Sequence, residues 1–152
     1  MPGTYVEFPV TARTQEKMEK YIVELGLPKP KYRLHATTVY SKKPIHYTKM
    51  DPAQVGYATW SAYPLLLKGH NDLGLCLALY TPANALFRSH EAALELGATW
   101  DYPQFLPHIT LAYNLQIGDL LEKILISPGF PIWFDSENVM ELDEDWKPVR
   151  SS

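Results

Sequence analysis

The chain has 152 residues, of which 46% are hydrophobic and 20% charged, and its formal net charge is −3. These values predict one globular domain over residues 1–152 and disfavour a protein that binds duplex DNA. The single cysteine excludes an internal disulfide and a thiolate metal cluster.

The sequence contains no signal-peptide pattern, and it contains no apolar run of the ~20 residues that a membrane span needs. We therefore expect a cytoplasmic protein.

The first half of the chain begins with a predicted strand over residues 4–10. A helix capped by Thr14 follows, with apolar residues at helical spacing, and ends at Gly26. Residues 34–40 are the next predicted strand, and a polar loop over residues 41–52 closes this half.

The second half begins with residues 55–68, which are rich enough in aromatic and β-branched residues for one or two strands. Residues 73–80 form a continuous apolar strand that we expect near the centre of a sheet. Thr81 and Pro82 predict the start of a second helix, which ends at Gly97. The later predicted elements are a strand over residues 109–113, a short helix over residues 118–125, and strands over residues 131–135 and 138–142.

The two halves repeat one unit: a strand, a helix that ends at glycine, a loop, and a strand that carries His-x-Thr. The units span residues 4–40 and 73–113. Their motif strands, LHATTVY (residues 34–40) and PHITLAY (residues 107–113), both place tyrosine five residues after histidine. The repeat predicts an α+β fold of two pseudo-symmetric lobes, whose antiparallel sheets carry flanking helices and face each other across a central cleft.

Each motif pairs an imidazole with a hydroxyl, because side chains two residues apart in a strand share a face. Across a cleft, His35 and His108 would remove and supply a proton at a phosphodiester, while Thr37 and Thr110 would donate to its non-bridging oxygens. Histidine suits both roles because its ordinary pKa is about 6.5. If a ribose 2′-hydroxyl of the substrate attacks phosphorus, this chemistry needs no metal or other cofactor. The sequence leaves open which histidine is the acid.

A His-x-Thr tripeptide alone is a weak signal, because a third copy, at His46, lies in the polar loop without a matching unit. We expect no catalytic role for His46. His70 and His90 are expected in a turn and on a helix surface, in contact with solvent, and Cys76 is expected to be buried in its strand. The ligand spacings typical of zinc sites do not occur.

The paired motifs resemble those of the two-histidine (2H) phosphoesterase superfamily, and the resemblance spans residues 4–147. The opening Gly-Thr-Tyr, the first motif strand and the tail over residues 140–147 are similar to the phage anti-CBASS phosphodiesterases. That family degrades cyclic di- and trinucleotide messengers, such as cyclic GMP-AMP and cyclic triadenylate, which bacteria make to trigger abortive infection. The resemblance implies substrate-binding roles for Tyr5, Glu141 and Trp146, with Glu144 as an alternative to Glu141.

The activity that the resemblance implies is hydrolysis of 3′-5′ linkages in cyclic di- and trinucleotides in the host bacterial cytoplasm, which suppresses CBASS defence. The alternatives are a 2′,3′-cyclic phosphodiesterase acting on RNA ends or a 2′-5′ oligoadenylate phosphodiesterase, a non-catalytic protein that sequesters cyclic nucleotides, and an interaction protein with inert histidines. A groove that binds RNA would need the basic residues Lys29, Lys31, Arg33, Lys42 and Lys43, which equally suit a solvated loop. The sequence fixes neither oligomeric state nor base and ring-size preference.

Overall fold

The computed structural model describes residues 1–50, 57–68, 74–115 and 127–146. These ranges contain two helices and two antiparallel sheets, one of six strands and one of two, so the α+β class is confirmed. The predicted helix over residues 118–125 lies outside the described residues. Neither described helix has the length and apolar character that crossing a bilayer requires. The elements are β1 (Thr4–Pro9), α1 (Ala12–Glu24), β2 (His35–Ser41), β3 (Tyr57–Thr59), β4 (Tyr63–Lys68), β5 (Leu75–Tyr80), α2 (Asn84–Glu95), β6 (His108–Leu115), β7 (Ile132–Phe134) and β8 (Asn138–Glu141).

Both helices begin at residues other than the predicted caps. The cap of α1 is Thr11, whose Oγ1 accepts a hydrogen bond from the Thr14 N–H at 3.2 Å, so the predicted cap Thr14 lies inside the first turn. Helix α2 begins after Ala83, without a side-chain cap. Thr81 cannot cap it because this residue is buried beside the entry to β6, where its N–H donates to the Pro107 carbonyl at 2.8 Å.

The six-stranded sheet has the order β4-β5-β6-β2-β1-β8. The sequence predicts sheets in separate lobes that face each other, whereas one sheet contains six of the described strands, drawn from both halves of the chain. Its two parts, the β6 half-sheet (β4-β5-β6) and the β2 half-sheet (β2-β1-β8), meet at a single backbone pair, Ala36 with Ile109. The interior position predicted for this apolar strand is confirmed for Leu75–Tyr80, because β5 has a strand on each side.

Each motif strand carries a one-residue β-bulge three residues after its histidine. The extra residue of β2 against β1 is Thr38, and that of β6 against β5 is Leu111. Because side chains alternate sides along a strand, an extra residue reverses the alternation beyond it. The bulges therefore bring Tyr40 and Tyr113, five residues after the histidines, to the face that carries the His-x-Thr side chains.

The hydrophobic core lies on the opposite face of the sheet. Ala36 and Ile109 of the junction are fully buried there, and side chains of both helices, such as Ile22 and Leu86, belong to the same cluster. Burying a side chain of this size contributes about 1.5–3 kcal/mol. Because the helices cover one face of the sheet, the motif side chains lie on the opposite face, away from the helices.

His90 is buried, with 7% of its surface exposed, and the prediction of a solvated histidine is wrong. Its Nδ1 donates a hydrogen bond to the Thr38 carbonyl at 2.8 Å, and its ring stacks on Phe105 with centroids 4.1 Å apart. Burial lowers the pKa of His90. Helical periodicity could not show this contact, because it depends on where α2 lies over the bulge of β2.

A buried chain of hydrogen bonds connects β2 to the loop after it and to the segment before β8. Glu137 is 1% exposed, and its Oε2 accepts from the Tyr47 hydroxyl at 2.8 Å and the Met50 N–H at 3.2 Å. The Tyr47 oxygen is also 2.8 Å from Ser89 Oγ, which is 2.8 Å from Thr38 Oγ1. Because Tyr47 donates to the carboxyl group, Ser89 donates to Tyr47 and Thr38 donates to Ser89.

Candidate active site

A cavity of about 710 Å³ lies on the face of the sheet that carries the motif side chains. All the residues that the sequence predicts for the site line this cavity, although they come from four different strands and the C-terminal segment. They are His35, Thr37, His108, Thr110, Tyr5, Glu141 and Trp146.

The backbone pair of Ala36 and Ile109, which joins β2 to β6, determines how the two motifs lie relative to each other. Because Ala36 pairs with Ile109 in antiparallel register, the histidine of each motif stands opposite the threonine of the other. Residues directly opposite on antiparallel strands have Cβ atoms about 4.5–5.5 Å apart. The two imidazoles therefore lie on one diagonal of a four-residue cluster and the two hydroxyls on the other. The opposed pairs are His35 with Thr110 and His108 with Thr37.

Both imidazoles are held through the same nitrogen. Nδ1 of His35 lies 3.0 Å from the Arg33 carbonyl oxygen, and Nδ1 of His108 lies 2.6 Å from the Leu106 carbonyl oxygen. A carbonyl oxygen only accepts, so in the neutral rings Nδ1 carries the proton. Nε2 is then the nitrogen of each ring that takes a proton from a substrate.

Glu7 is a carboxylate of the site that the sequence analysis missed. It lines the cavity from β1, and its Oε2 is 3.9 Å from Nδ1 of His35. A carboxylate at this distance attracts the positive charge that the ring acquires on taking a proton. The sequence feature that could have identified Glu7 is its spacing of two residues from Tyr5, which puts both side chains on one face of the strand.

Thr37 has a phenol partner. The Tyr5 hydroxyl is 2.8 Å from Thr37 Oγ1 and also hydrogen bonds to the Glu7 side chain. Burial, together with the negative charge of Glu7, raises the pKa of Tyr5. Tyr5 therefore stays protonated at neutral pH and holds the threonine hydroxyl in place.

Thr110 has a phenol partner as well. Tyr113, brought to this face by the bulge, hydrogen bonds to Thr110 and to Tyr32. Burial raises the pKa of Tyr113 to about 12, so this phenol is also neutral at physiological pH. The tyrosine at this position is visible in the sequence, but its contact with the threonine depends on the bulge.

The C-terminal segment closes one side of the cavity. The Trp146 ring meets His35 at a centroid distance of 6.4 Å and Tyr113 at 6.3 Å, and 42% of the tryptophan remains exposed. Trp146 thus contacts both motif strands and still offers surface for stacking. Of the two candidate glutamates, Glu141 lines the cavity and Glu144 is not among its lining residues.

Cys76 is buried in β5, as predicted, and forms part of the cavity wall. Burial raises the pKa of its thiol to about 11. Since the thiolate is the reactive form, we expect iodoacetamide at neutral pH to label the folded protein at least ~10-fold more slowly than the urea-unfolded protein. Intact mass measured over time checks this, and the lone cysteine makes the signal unambiguous. Equal labelling rates would contradict the burial of the thiol.

Three further observations complete the site. His46 is exposed, belongs to no strand and is not among the lining residues. In the described ranges, no three histidine, cysteine or acidic side chains are arranged to hold a metal ion. The sequence analysis also missed the loop between α2 and β6, of which residues 100–104 line the cavity.

Comparison with known proteins gives consistent matches along the chain. The family model described as anti-CBASS protein Acb1 matches residues 2–149. The anti-CBASS protein Acb1 of Acinetobacter phage Ac42 is 32% identical over 150 residues, which cover 96% of this chain and 95% of that protein. The Acb1 proteins of Enterobacteria phage T4 and Salmonella phage S16 are 29% and 30% identical over 146 residues, covering 95% of this chain and 91% of each relative.

Proposed function

This chain belongs to the family of the anti-CBASS protein Acb1, and from this premise we propose that it suppresses CBASS defence by hydrolysing cyclic di- and trinucleotide messengers in the cytoplasm of the infected cell. The observation that carries the proposal is the crossed arrangement of two His-x-Thr pairs over one cavity. The arrangement puts two groups that can move protons, and two that can donate hydrogen bonds, around a single point.

That arrangement supports the following reaction. One imidazole takes the proton of a ribose 2′-hydroxyl through Nε2, and the oxygen attacks the adjacent phosphorus. The other imidazole, protonated, gives its proton to the departing 5′-oxygen. The cyclic nucleotide is thereby opened to a linear product with a 2′,3′-cyclic phosphate end. With the histidines in exchanged roles, water then opens this end to a terminal phosphate.

The threonines hold the phosphate. Thr110 donates to one non-bridging oxygen, and Thr37 donates to another after its hydroxyl hydrogen, which points to Tyr5 in the free protein, turns to the bound phosphate. Negative charge increases on these oxygens in the transition state. Groups fixed before the reaction stabilise this charge without reorganising during it. Trp146 offers a surface on which a base stacks.

The charges around the cavity argue against long RNA as the substrate. The lining side chains include four acidic residues and one lysine. The basic residues that an RNA groove would use are not among them, and some of their side chains bind residues outside the cavity. For example, the Arg33 side chain donates to the Val10 carbonyl at 3.0 Å and Lys29 pairs with Glu19 at 3.1 Å.

We also propose that the fold contains two copies of one unit, β1-α1-β2 and β5-α2-β6, related by a pseudo-twofold axis through the junction. Three features support this proposal: the common order of elements, the bulge three residues after each histidine, and the hydrogen bond from each Nδ1 to the carbonyl two residues earlier. A cavity between such copies would give a phosphodiester equivalent groups on both sides.

Incubation with cyclic GMP-AMP and separation of the products by chromatography tests the function. We expect linear product ending in a 2′,3′-cyclic phosphate and then in a terminal phosphate, and we expect activity to persist in excess EDTA. The matched control is a 2′-deoxy analogue, which lacks the attacking hydroxyl and should resist cleavage. Binding without product would favour a protein that sequesters the messenger. Neither binding nor product would favour an interaction protein with inert histidines.

A further inference from the structure

We propose that Ser89 and His90 of α2 are positioning residues for the first motif, because they hold the bulge of β2 and thereby fix where the Thr37 hydroxyl meets the phosphate. This inference rests on the proposed function. We call these two residues the α2 clamp. Both are buried, and neither is among the described residues that line the cavity, so the clamp acts on the substrate through β2.

The α2 clamp holds one residue of β2 by two groups. Thr38, the extra residue of the bulge, is fully buried. Its Oγ1 donates to Ser89 Oγ at 2.8 Å, and its carbonyl accepts from His90 Nδ1 at 2.8 Å. A bulge leaves its extra residue unpaired in the strand ladder, and a buried carbonyl needs a donor. Helix α2 therefore supplies a partner that the ladder does not.

The position of this bulge determines the position of Thr37. On one side of Thr37, Ala36 pairs with Ile109, and on the other side Thr38 is held by the clamp. Thr37 is thus fixed through both of its neighbours while its own side chain faces the cavity. A displacement of about 1 Å at a group that contacts the reacting atoms can cost about 100-fold in rate.

The clamp is itself held by its surroundings. The His90 ring stacks on Phe105, with centroids 4.1 Å apart and planes at 7°, which fixes the direction of Nδ1. Burial lowers the pKa of His90, so the ring is neutral at physiological pH and keeps its proton on Nδ1. Ser89 donates to Tyr47 and is fixed by the buried chain of hydrogen bonds. Both arms of the clamp are therefore set before a substrate binds.

The bulge of the second motif is held in a different way. Its extra residue, Leu111, is 2% exposed, and its apolar side chain belongs to the hydrophobic core. Loss of the α2 clamp should therefore displace Thr37 and leave Thr110 in place. The second motif provides an internal control for the first.

The experiment compares two substitutions of His90. His90→Phe keeps a ring that can stack on Phe105 but removes the Nδ1 donor, whereas His90→Asn keeps an N–H donor and removes the ring. We expect kcat for cyclic GMP-AMP to fall about 10- to 100-fold in His90→Phe with little change in KM, and to stay within about 3-fold of wild type in His90→Asn. Both variants are assayed well below their unfolding midpoints. A purely structural role would lower the stability of both and leave both kcat values at the wild-type level.

A double-mutant cycle shows whether the clamp acts through Thr37. Thr37→Val removes the hydroxyl that the clamp positions, so adding His90→Phe should lower kcat by less than about 3-fold further. Thr110→Val is the matched variant in the second motif, and there His90→Phe should lower kcat by the full factor that it causes alone. Equal further losses in the two backgrounds would overturn the proposal.

A second substitution covers a failure of His90→Phe to fold. Thr38→Val removes the hydroxyl that donates to Ser89 and nearly preserves the shape of the side chain. It should lower kcat by about 3- to 10-fold, and a wild-type kcat would count against the clamp.

If wild type cleaves no cyclic nucleotide, the proposed function fails, and NMR spectra of the threonine methyl groups then test the clamp alone. The Thr37 methyl resonance should shift in His90→Phe and lie close to its wild-type position in His90→Asn. The Thr110 resonance should stay unchanged in both variants. A Thr37 resonance that does not move in His90→Phe would refute the clamp without reference to activity.

Discussion

His108→Ala should lower turnover of cyclic GMP-AMP by about 10²–10⁴-fold, because the substitution removes one of the two groups that move protons in the reaction. Substrate binding should change little, because the threonines and aromatic residues remain. The folded structure should survive, since His108 lies at the start of β6 in the cavity wall rather than in the core. Single-turnover kinetics measure the loss, and the circular dichroism spectrum and the unfolding midpoint check the fold.

His46→Ala is the matched control, because it removes the histidine of the third His-x-Thr tripeptide, which is exposed and is not part of the cavity lining. Its turnover should equal that of wild type. His35→Ala should resemble His108→Ala, and the double variant should lose less than the product of the two single losses, because the two groups act together. Near-normal turnover in His108→Ala would refute the two-histidine mechanism.

Tyr47→Phe should lower the free energy of unfolding by about 3 kcal/mol, because it leaves the buried Glu137 carboxyl group without its phenol donor. The same change leaves Ser89 Oγ without the oxygen to which it donates. The corresponding decrease in melting temperature for a domain of this size is about 6–12 °C. Urea unfolding monitored by circular dichroism measures the loss.

Tyr63→Phe provides the control for loss of a phenol hydroxyl, because Tyr63 is 50% exposed on β4. Surface substitutions of this kind usually change stability by less than about 0.5 kcal/mol. A double-mutant cycle that combines Tyr47→Phe with Glu137→Gln isolates the coupling between the two side chains. A loss in Tyr47→Phe no larger than that in Tyr63→Phe would show that the hydrogen-bond chain contributes little to stability.

Much of the fold could be predicted because it depends on local patterns. The apolar spacing along residues 14–25 and the continuous apolar run before Tyr80 correspond to α1 and β5. The predicted helix starts were wrong because both starts depend on contacts with neighbouring segments. Thr81 is buried beside Pro107, and Thr11, which bonds to the Trp133 carbonyl, is the cap of α1. Local patterns also could not predict that the half-sheets join, because the pairing of β2 with β6 brings together residues far apart in the chain.

In the candidate site, likewise, features of single strands could be predicted and features that depend on tertiary packing could not. The His-x-Thr spacing is a property of each strand, so the motifs and their shared face could be predicted. The contact of Tyr113 with Thr110 could not, because regular alternation would turn a residue five positions after histidine toward the core. The loop between α2 and β6, whose residues 100–104 line the cavity, carries no motif, and its position follows from the packing of Trp100 against His90. That histidine was itself mistaken for a surface residue.

The β6 and β2 half-sheets share a single backbone pair, and we expect this junction to act as a hinge of the cleft. Among the described strands, the other ladders lie within one half-sheet or within the small β3-β7 sheet, and an isolated bridge joins Val10 to Phe134 of β7. A small rotation about Ala36 and Ile109 would therefore leave those ladders intact. The histidines stand on opposite sides of that hinge, and their separation follows the angle between the half-sheets. A cyclic trinucleotide is a wider ring than a cyclic dinucleotide, and we expect the cleft to accommodate both by changing this angle rather than by rebuilding the site.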